Sequence, residues 1–332
     1  MISWCVAKVC VQWQYYAMRR SASHLLWVLV LAVCAGCSID RWAVDQVVGI
    51  VSGGGEGTTF TGDDDPELIA DALPFAMKMY ESLLETAPDN EELLLITGQM
   101  FAMYAFAFVQ SPAEMLPDTQ FDEKKQMLQR AKRLYLRGRG YLLRALELRH
   151  PGFGQLLQED RIEEALDNAA EADLAYLYWA AASWLGAFSV DNFDLTLLVD
   201  VPKPVAMVTR VIELDDTYAD GGAHDILLAY YGALPASLGG SEEMARYHFR
   251  RSVELSGGTS AGPYVGLATT VCVAKQDVRE FTELLQRALA IGIDENPSNR
   301  LANTLAQRKA GWLLQNIDLF FLLPEQAVGP EG

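Results

Sequence analysis

The sequence has few of the residues on which most catalytic and metal sites depend. It contains five cysteines and four histidines in 332 residues. His150, His224 and His248 lie dozens of residues apart, no HExxH motif is present, and no cysteine has an obvious histidine partner. The glycine run at 53–57 lacks the Lys-Ser/Thr ending of a phosphate-binding loop. The sequence therefore predicts no catalytic residues, no metal site, no cofactor and no enzyme activity.

Positive charge is also scarce. Lys and Arg number 26 against 44 Asp and Glu, which gives a formal net charge of −18. This balance argues against a nucleic-acid partner and against adhesion to anionic lipid through a basic face. Since 51% of the residues are hydrophobic, the chain has enough apolar material for a core that needs no disulfides.

The N-terminal segment has the layout of a bacterial secretion signal. A basic pair, Arg19-Arg20, precedes the apolar run from Leu25 to Ala35, which is too short for a typical membrane span, and Gly36-Cys37 follows. The end of this run resembles a lipobox, although Cys34 stands where an aliphatic residue is usual. We expect residues 1–36 to be a signal peptide, with the biological start at Met18, and Cys37 to be lipidated. An uncleaved signal anchor and a buried Cys37 thiol are the alternatives.

The domain boundary is predicted near residue 65. Residues 37–65 form the lipidated N-terminus and a flexible, glycine-rich and acidic tether, and residues 66–332 form the folded domain. Asp65 can cap a helix that begins at Pro66. In this first helix, the apolar spacing of three and four predicts one buried face. That face comprises Leu68, Ala72, Phe75, Met79 and Leu83.

The domain is predicted to be all-α, with degenerate tetratricopeptide-like helical hairpin repeats in an α-solenoid. Ala76-x3-Tyr80-x2-Leu83-x4-Pro88 matches the second helix of such a repeat, and Leu94-x2-Thr97-Gly98-x2-Phe101 matches the first helix of the next. An irregular helical bundle is the alternative. Residues 150–173 and 187–203 do not fit hairpin spacing and are expected to be loops, where specific contacts often lie.

Aromatic residues concentrate on three predicted helices and are the candidate lining of a ligand site or channel. They are Phe101, Tyr104, Phe108, Tyr176, Trp179, Trp184, Tyr230 and Tyr231. A helix that is apolar nearly all round lies in the core or lines an apolar cavity. Packing in the core, a hydrophobic ligand groove and a subunit interface all remain open for these residues. We expect His224 and Asp225 to form a solvated pair.

The lipobox at Cys37, the tether and the repeat fragments together resemble TatT, the lipoprotein T component of tetratricopeptide-repeat-protein-associated TRAP transporters. The resemblance implies an all-helical repeat fold, a homotrimer, and a complex with the periplasmic solute-binding protein of a TRAP system. It also implies a role in the import of small, hydrophobic ligands by a periplasm-facing protein that lipid on Cys37 anchors to a bacterial membrane. A stand-alone ligand-carrying lipoprotein with an apolar channel is the alternative function, and an envelope hydrolase is a third.

Overall fold

A computed structural model describes residues 59–322, in which all regular secondary structure is helical. The all-α prediction is therefore confirmed for this part of the chain. Residues 59–84 and 88–322 belong to one compact unit. The predicted signal peptide, Cys37 and most of the tether lie outside the described residues.

The helices follow one another with short connections. In chain order they are α1 Pro66–Thr86, α2 Glu91–Ala105, α3 Phe121–Arg149, α4 Phe153–Gln158, α5 Ile162–Leu166, α6 Leu174–Ser189, α7 Leu195–Asp200, α8 Pro202–Leu214, α9 Tyr218–Ala233, α10 Glu242–Leu255, α11 Gly262–Leu267, α12 Val278–Ala290 and α13 Arg300–Gln315. Two helices continue through a π-helical turn: α2 through Phe106–Gln110 into Ser111–Glu114, and α11 through Ala268–Cys272 into Val273–Lys275. Single 3-10 turns occur at Asp118–Gln120, Glu171–Asp173, Ala236–Leu238, Pro297–Asn299 and Ile317–Leu319.

Helix α1 begins where the sequence predicts, but it buries a different face. The Asp65 carboxylate accepts a hydrogen bond from the Leu68 N–H at 2.9 Å, and Pro66 takes the first helical position. Leu68 and Phe75 are exposed. The buried stripe is Ile69, Leu73, Met77, Tyr80 and Leu84. The predicted face was wrong because both stripes have helical spacing, and the buried one contains the large ring of Tyr80.

Helices α2 and α3 pack closely where each carries a glycine. A Cβ on Gly98 would lie 2.9 Å from the carbonyl oxygen of Gly138, and a Cβ on Gly138 would lie 2.8 Å from that of Gly98. Real Cβ atoms do not come so close to a carbonyl oxygen, so both positions need glycine. The run Glu91–Glu114 is long and apolar enough to cross a membrane, but it packs on α3 and α6 like a core helix.

From α2 onward, the long helices pack mainly against helices near them in the sequence. α2 packs on α3, α3 on α6, α6 on α8, α8 on α9, α9 on α10 and α11, and α12 on α13. The two predicted loops were wrong in part. Residues 150–173 contain α4 and α5, and residues 187–203 contain α7, because short apolar pairs such as Leu156-Leu157 and Leu197-Leu198 are enough for one or two helical turns.

The last long helix returns to the start of the domain. The Arg308 guanidinium pairs with Glu67 of α1 at 2.6 Å, and Arg300 donates to the carbonyl oxygen of Gly62 at 3.1 Å. The ammonium of Lys309 pairs with Glu114, at the end of the continued α2, at 2.5 Å. Helix α13 therefore joins the two helices that begin the domain.

Candidate functional site

Basic residues concentrate on helix α3, which is therefore electrostatically unlike the rest of the acidic chain. Only Asp122, Glu123 and Glu147 are acidic in this helix. Its basic residues are Lys124, Lys125, Arg130, Lys132, Arg133, Arg137, Arg139, Arg144 and Arg149. The candidate site is built from these cations and from the aromatic rings of α2 and α6 that they meet.

Four arginines of α3 lie over four of the predicted aromatic rings. The guanidinium carbon lies between 4.6 and 5.6 Å from the ring centroid in each pair, which is cation–π distance. The pairs are Arg130 over Tyr104, Arg137 over Phe101, Arg139 over Trp184 and Arg149 over Tyr176. Since all four rings are buried, α3 places charge against the aromatic core rather than against solvent.

Carboxylates compensate the charge of α3 at both ends of its contact with α6. The Arg149 guanidinium pairs with Asp173 at 2.6 Å and with Glu91 at 2.8 Å. Lys132 pairs with Asp191 at 2.7 Å and with Asp194 at 2.6 Å. Burial would raise the pKa of Asp173, but the Ala170 N–H, Arg149 and His150 stabilise the carboxylate and hold its pKa below the usual value.

Arg139, in the middle of that contact, has no such compensation. Among residues 59–322 no carboxylate lies within ion-pair distance of its guanidinium, and burial lowers its pKa. The charge of Asp200 acts on Arg139 from farther away, and the Asp200 carboxylate is already paired with Lys203 at 2.7 Å. The Trp184 indole beneath Arg139 is buried, and its Nε1–H has no acceptor in the described part of the chain.

A second polar cluster lies between α9 and α10. His224 Nε2 is 2.6 Å from the Asp216 carboxylate, and His224 Nδ1 is 2.8 Å from His248 Nδ1. Arg251 also pairs with Asp216, and the Tyr231 ring stacks parallel to His248 with centroids 5.6 Å apart. His224 is fully buried, so the prediction of a solvated His224–Asp225 pair was wrong. The sequence did not reveal that Asp216 and His248 contact the two ring nitrogens of His224.

The Nδ1 atoms of the two histidines are 2.8 Å apart, which is hydrogen-bond distance. Only one of the two Nδ1 atoms can donate, so His224 and His248 cannot both be imidazolium with this geometry. Burial and the neighbouring His224 lower the pKa of His248 to about 4, so its ring is neutral near pH 7. His248 Nε2 is buried and has no partner among the described residues. No group of three or more metal-ligating side chains occurs in residues 59–322.

Asp225, next to His224, lies in a second, partly buried pair. Its carboxyl accepts a hydrogen bond from the Ser252 hydroxyl at 2.6 Å. Burial raises the pKa of Asp225 to about 7, although the Ser252 hydrogen bond opposes the shift. Between Asp216 and these residues the backbone turns through Ala219, Asp220 and Gly221, all with positive φ, before α9 continues. Left-handed conformations are strained for Ala219 and Asp220.

Comparison with known proteins gives the family. A family model described as TRAP transporter T-component matches residues 62–321, which is almost the whole described part of the chain. The chain is also similar to an uncharacterized protein of Treponema pallidum (strain Nichols), with 32% identity over 305 residues that cover 87% of this chain and 94% of the relative.

The chain belongs to the TRAP transporter T-component family.

T-components are accessory subunits of a transporter and not a family of enzymes. This T-component therefore has a role in TRAP transport, in association with a TRAP transporter system. The resemblance that the repeat fragments suggested is confirmed at the level of the family.

The structure brings some of the predicted aromatic residues of this T-component together and separates others. Phe101, Tyr104, Tyr176 and Trp184 form the set beneath the α3 arginines, and Phe108 contacts Tyr104 with centroids 5.8 Å apart. Tyr230 and Tyr231 lie apart on α9, in contact with each other. Trp179 contacts Tyr178, whose ring meets Tyr218 at the start of α9. Phe108, Trp179, Tyr230 and Tyr231 are half-buried, whereas the other four are buried.

Sequence reasoning missed the arginines that cover these rings. The signal was available: Lys132 and Arg139 are seven residues apart, so both can face the same neighbouring helix, and nine basic residues occur in one helix of an acidic chain. The Asp216–His224–His248 cluster had no comparable signal, because His248 comes from another helix.

One motif of nucleophilic enzymes is present and was also missed. Residues 258–262 read Gly-Thr-Ser-Ala-Gly, which matches the G-x-S-x-G pattern. A nucleophile elbow follows a strand, whereas this segment follows helix α10, and Ser260 has no hydrogen bond to a histidine among residues 59–322. The motif therefore gives no support to a hydrolase in this T-component.

Proposed function

We propose that this T-component is a lipoprotein that faces the periplasm, docks the solute-binding protein of a TRAP transporter and assists the import of small, hydrophobic ligands. The observation that carries the proposal is the family match over residues 62–321. The predicted signal peptide and lipidation of Cys37 would hold the domain at a bacterial membrane, beside the transporter. A homotrimer is part of the same proposal.

The proposed fold is a set of degenerate tetratricopeptide-like helical hairpins. Small residues permit the paired helices to come close, as Gly98 and Gly138 do between α2 and α3. Tyr80 of the first repeat fragment is buried, as are Ala245, Ser252 and Ala268 of the later fragments. Packing between neighbouring helices in the sequence is what such repeats require.

An exposed apolar patch on α7 and on Phe193, just before this helix, is the surface that we assign to the solute-binding protein. Phe193 is 90% exposed, Leu195 72% and Val199 73%. The patch is held in place before any partner binds, since Lys132 pairs with Asp194, and Asp194 caps α7 through the Thr196 N–H at 2.9 Å. Exposed apolar side chains on a rigid support are typical of binding surfaces. The acidic residues beside it, Asp191 and Asp194, favour a partner with a basic rim.

Co-purification tests the docking. The full chain in neutral detergent is mixed with the solute-binding protein encoded with its transporter, and a complex at micromolar concentration is expected. Substituting Ser for Phe193, Leu195 and Val199 together should weaken the complex at least tenfold. The matched control is the double variant Leu68→Ser and Phe75→Ser, which alters exposed apolar residues on α1 and should leave the complex intact.

Three results would count against this assignment. Absence of any complex contradicts docking itself. A complex that resists the α7 variant contradicts the choice of surface. Loss of the trimer, rather than of the complex, on substitution of α7 would make the patch a subunit interface.

A stand-alone ligand-carrying lipoprotein is the second candidate function. The half-buried aromatic rings of Phe108, Trp179, Tyr230 and Tyr231 favour it, because they are accessible enough to contact an apolar ligand. Mass spectrometry of protein extracted from its native membrane discriminates the two functions. An apolar molecule that stays bound when the transporter genes are deleted supports the carrier.

A further inference from the structure

Most of the basic side chains that lack a carboxylate partner lie on one helix. In residues 59–322, seven lysine or arginine side chains have no Asp or Glu within ion-pair distance, and α3 carries five of them. The five are Lys124, Lys125, Arg130, Arg133 and Arg139, and the other two are Arg250 of α10 and Arg287 of α12. Positive charge without a carboxylate is therefore concentrated on α3, in a chain whose net charge is −18.

Three of these cations share the exposed side of α3. Lys125, Arg130 and Arg133 are exposed, whereas the other two cations of α3 are half-buried. Lys125 and Arg133 are about two helical turns apart, and Arg130 is one turn before Arg133, so all three project from the same half of the helix surface. Gln126 and Gln129, between them, are exposed and uncharged. We call these five residues the basic face.

Contacts within the described chain do not account for the basic face. Lys125 and Arg133 make no hydrogen bond or ion pair with another described residue, and Arg130 donates only to the neutral Tyr104 hydroxyl, at 3.4 Å. Like charges one turn apart on a helix repel each other and oppose its formation. The arrangement therefore costs stability unless an anion from outside the chain lies against it.

An exposed aromatic ring extends the basic face toward the start of α3. Phe121, the first residue of the helix, is 65% exposed and lies one turn before Lys125, on the same side. Lysine and arginine keep their charged ends in the polar headgroup region while their apolar stems pack beside it. Exposed aromatic and basic side chains on one helix are typical of a surface that lies on a membrane.

We infer that the basic face and Phe121 bind the anionic headgroups of the membrane to which the protein is anchored. The inference rests on the proposed function, because a protein that lipid on Cys37 holds at a membrane meets this surface constantly. Lys125 and Arg133 are separated by about 12 Å along the helix axis, which fits a plane of separate headgroups better than one small anion. The contact fixes the orientation of the domain, which a flexible tether alone leaves free.

The negative net charge of the chain does not prevent this contact. It argues against a basic face only if charge is evenly distributed over the surface. At physiological ionic strength exposed charges are screened within about 8 Å, so the membrane responds to the residues that face it. Helix α3 has no acidic residue between Lys124 and Glu147. An acyl chain together with a basic patch is a common two-part attachment to anionic membranes.

Lysine labelling on vesicles tests the contact. The full chain is reconstituted in phosphatidylcholine vesicles with or without about 30% phosphatidylglycerol, and a neutral acylating reagent labels its lysines. Mass spectrometry compares Lys125 with Lys275, an exposed lysine at the end of the continued α11. Phosphatidylglycerol should slow the labelling of Lys125 at least threefold relative to Lys275, and about 0.5 M salt should abolish the slowing.

Paired variants show whether α3 itself makes the contact. Arg130→Gln with Arg133→Gln should reduce the slowing at Lys125 by at least half. Arg250→Gln with Arg287→Gln removes the same charge from two exposed arginines that also lack carboxylates, and should leave the slowing unchanged. Since all four positions are exposed, both variants should melt near the temperature of the parent. If the α3 variant does not fold, Arg133→Gln alone carries the test.

Several results would overturn the inference. Equally fast labelling of Lys125 on both kinds of vesicle would mean a solvated face, and equally slow labelling would mean that another copy of the chain covers it. Slowing that requires the other transporter subunits would assign the face to an acidic protein. Slowing that persists in the α3 variant or in high salt would exclude the arginines.

Flotation with pure phosphatidylcholine vesicles tests the anchor separately. A chain that does not float with these vesicles loses the membrane anchoring of the proposed function. A chain that floats with them but shows no slowing with phosphatidylglycerol loses only the basic face.

Discussion

The α3–α6 and α9–α10 interfaces both bury charge, but they do so with different chemical groups. At α3–α6 the charges are permanent: Lys132 and Arg149 meet carboxylates such as Asp173, whose pKa is lowered. At α9–α10 the titratable groups are His248, which is buried, and Asp225, which is partly buried, and their pKa values are about 4 and about 7. The first interface should therefore keep its charges across the physiological pH range, whereas the second should change within it.

The largest loss of stability is expected from replacing Asp173, which pairs with Arg149 at the α3–α6 interface. Asp173→Ala leaves Arg149 without its buried carboxylate, and loss of one partner of a buried ion pair destabilises by about 3 kcal/mol. Urea unfolding measures the change. Asp89→Ala removes an exposed partner of Arg144 in the same helix and should change stability by less than about 1 kcal/mol. Equal losses of stability in the two variants would mean that the Asp173–Arg149 ion pair contributes no more than an exposed ion pair does.

The next effect concerns the pH dependence of the α9–α10 interface. In the folded chain His248 has a lowered pKa, so its contribution to stability is complete above pH 6.5 and is lost as pH falls toward 4. Asp225 has a raised pKa, so its contribution is complete below pH 3.8 and is lost as pH rises through about 7. The two slopes oppose each other between about pH 4 and 6.5.

Single variants should reveal these opposing slopes. Asp225→Asn leaves the histidine contribution, so the free energy of unfolding should rise by about 2 kcal/mol between pH 4.5 and 6.5. His248→Gln leaves the Asp225 contribution, so the free energy of unfolding should fall over the same range. Urea titrations at several pH values check both. If the free energy of unfolding changed with pH in the same direction in both variants, the opposing contributions of His248 and Asp225 would be contradicted.

The smallest loss of stability is expected at Lys132, a partly exposed cation at one end of the α3–α6 contact. Lys132→Met removes a partly exposed cation from Asp191 and Asp194, and the loss should be about 1 kcal/mol with little dependence on pH between 5 and 8. Arg133→Met, the adjacent exposed position, should stay within about 0.5 kcal/mol of the parent. Thermal melts at two pH values measure both variants. A strong pH dependence of the Lys132→Met effect would contradict the permanence of these charges.

The sequence predicts the fold class well because helical periodicity and caps are local properties. The start of α1 at Pro66 follows from Asp65 and proline, and the apolar character of α2 follows from its composition. Which face of α1 is buried did not follow, because two stripes have the same spacing. The choice between Phe75 and Tyr80 depends on neighbours from elsewhere in the chain.

The candidate site is less predictable because it depends on pairs between helices. The rings of Phe101, Tyr176 and Trp184 could be selected from their clustering, but the sequence does not state that α3 would cover them with arginine. The sequence also could not predict that Arg139 lacks a carboxylate partner, because this is known only when the positions of all nearby carboxylates are known. For the same reason His224 looked solvated, although Asp216 and His248 enclose it.

The contacts of α13 with the beginning of the domain join residues that are far apart in the sequence. Arg308 and Glu67 are separated by 241 residues, Arg300 and Gly62 by 238, and Lys309 and Glu114 by 195. Contacts this distant in sequence form late, because the loop between them must close first. The contact of helix α1 with Arg308 cannot form until nearly the whole chain has been synthesised. A chain that ends before α13 should therefore keep its first helix loose and open to proteases, however well its middle helices have folded.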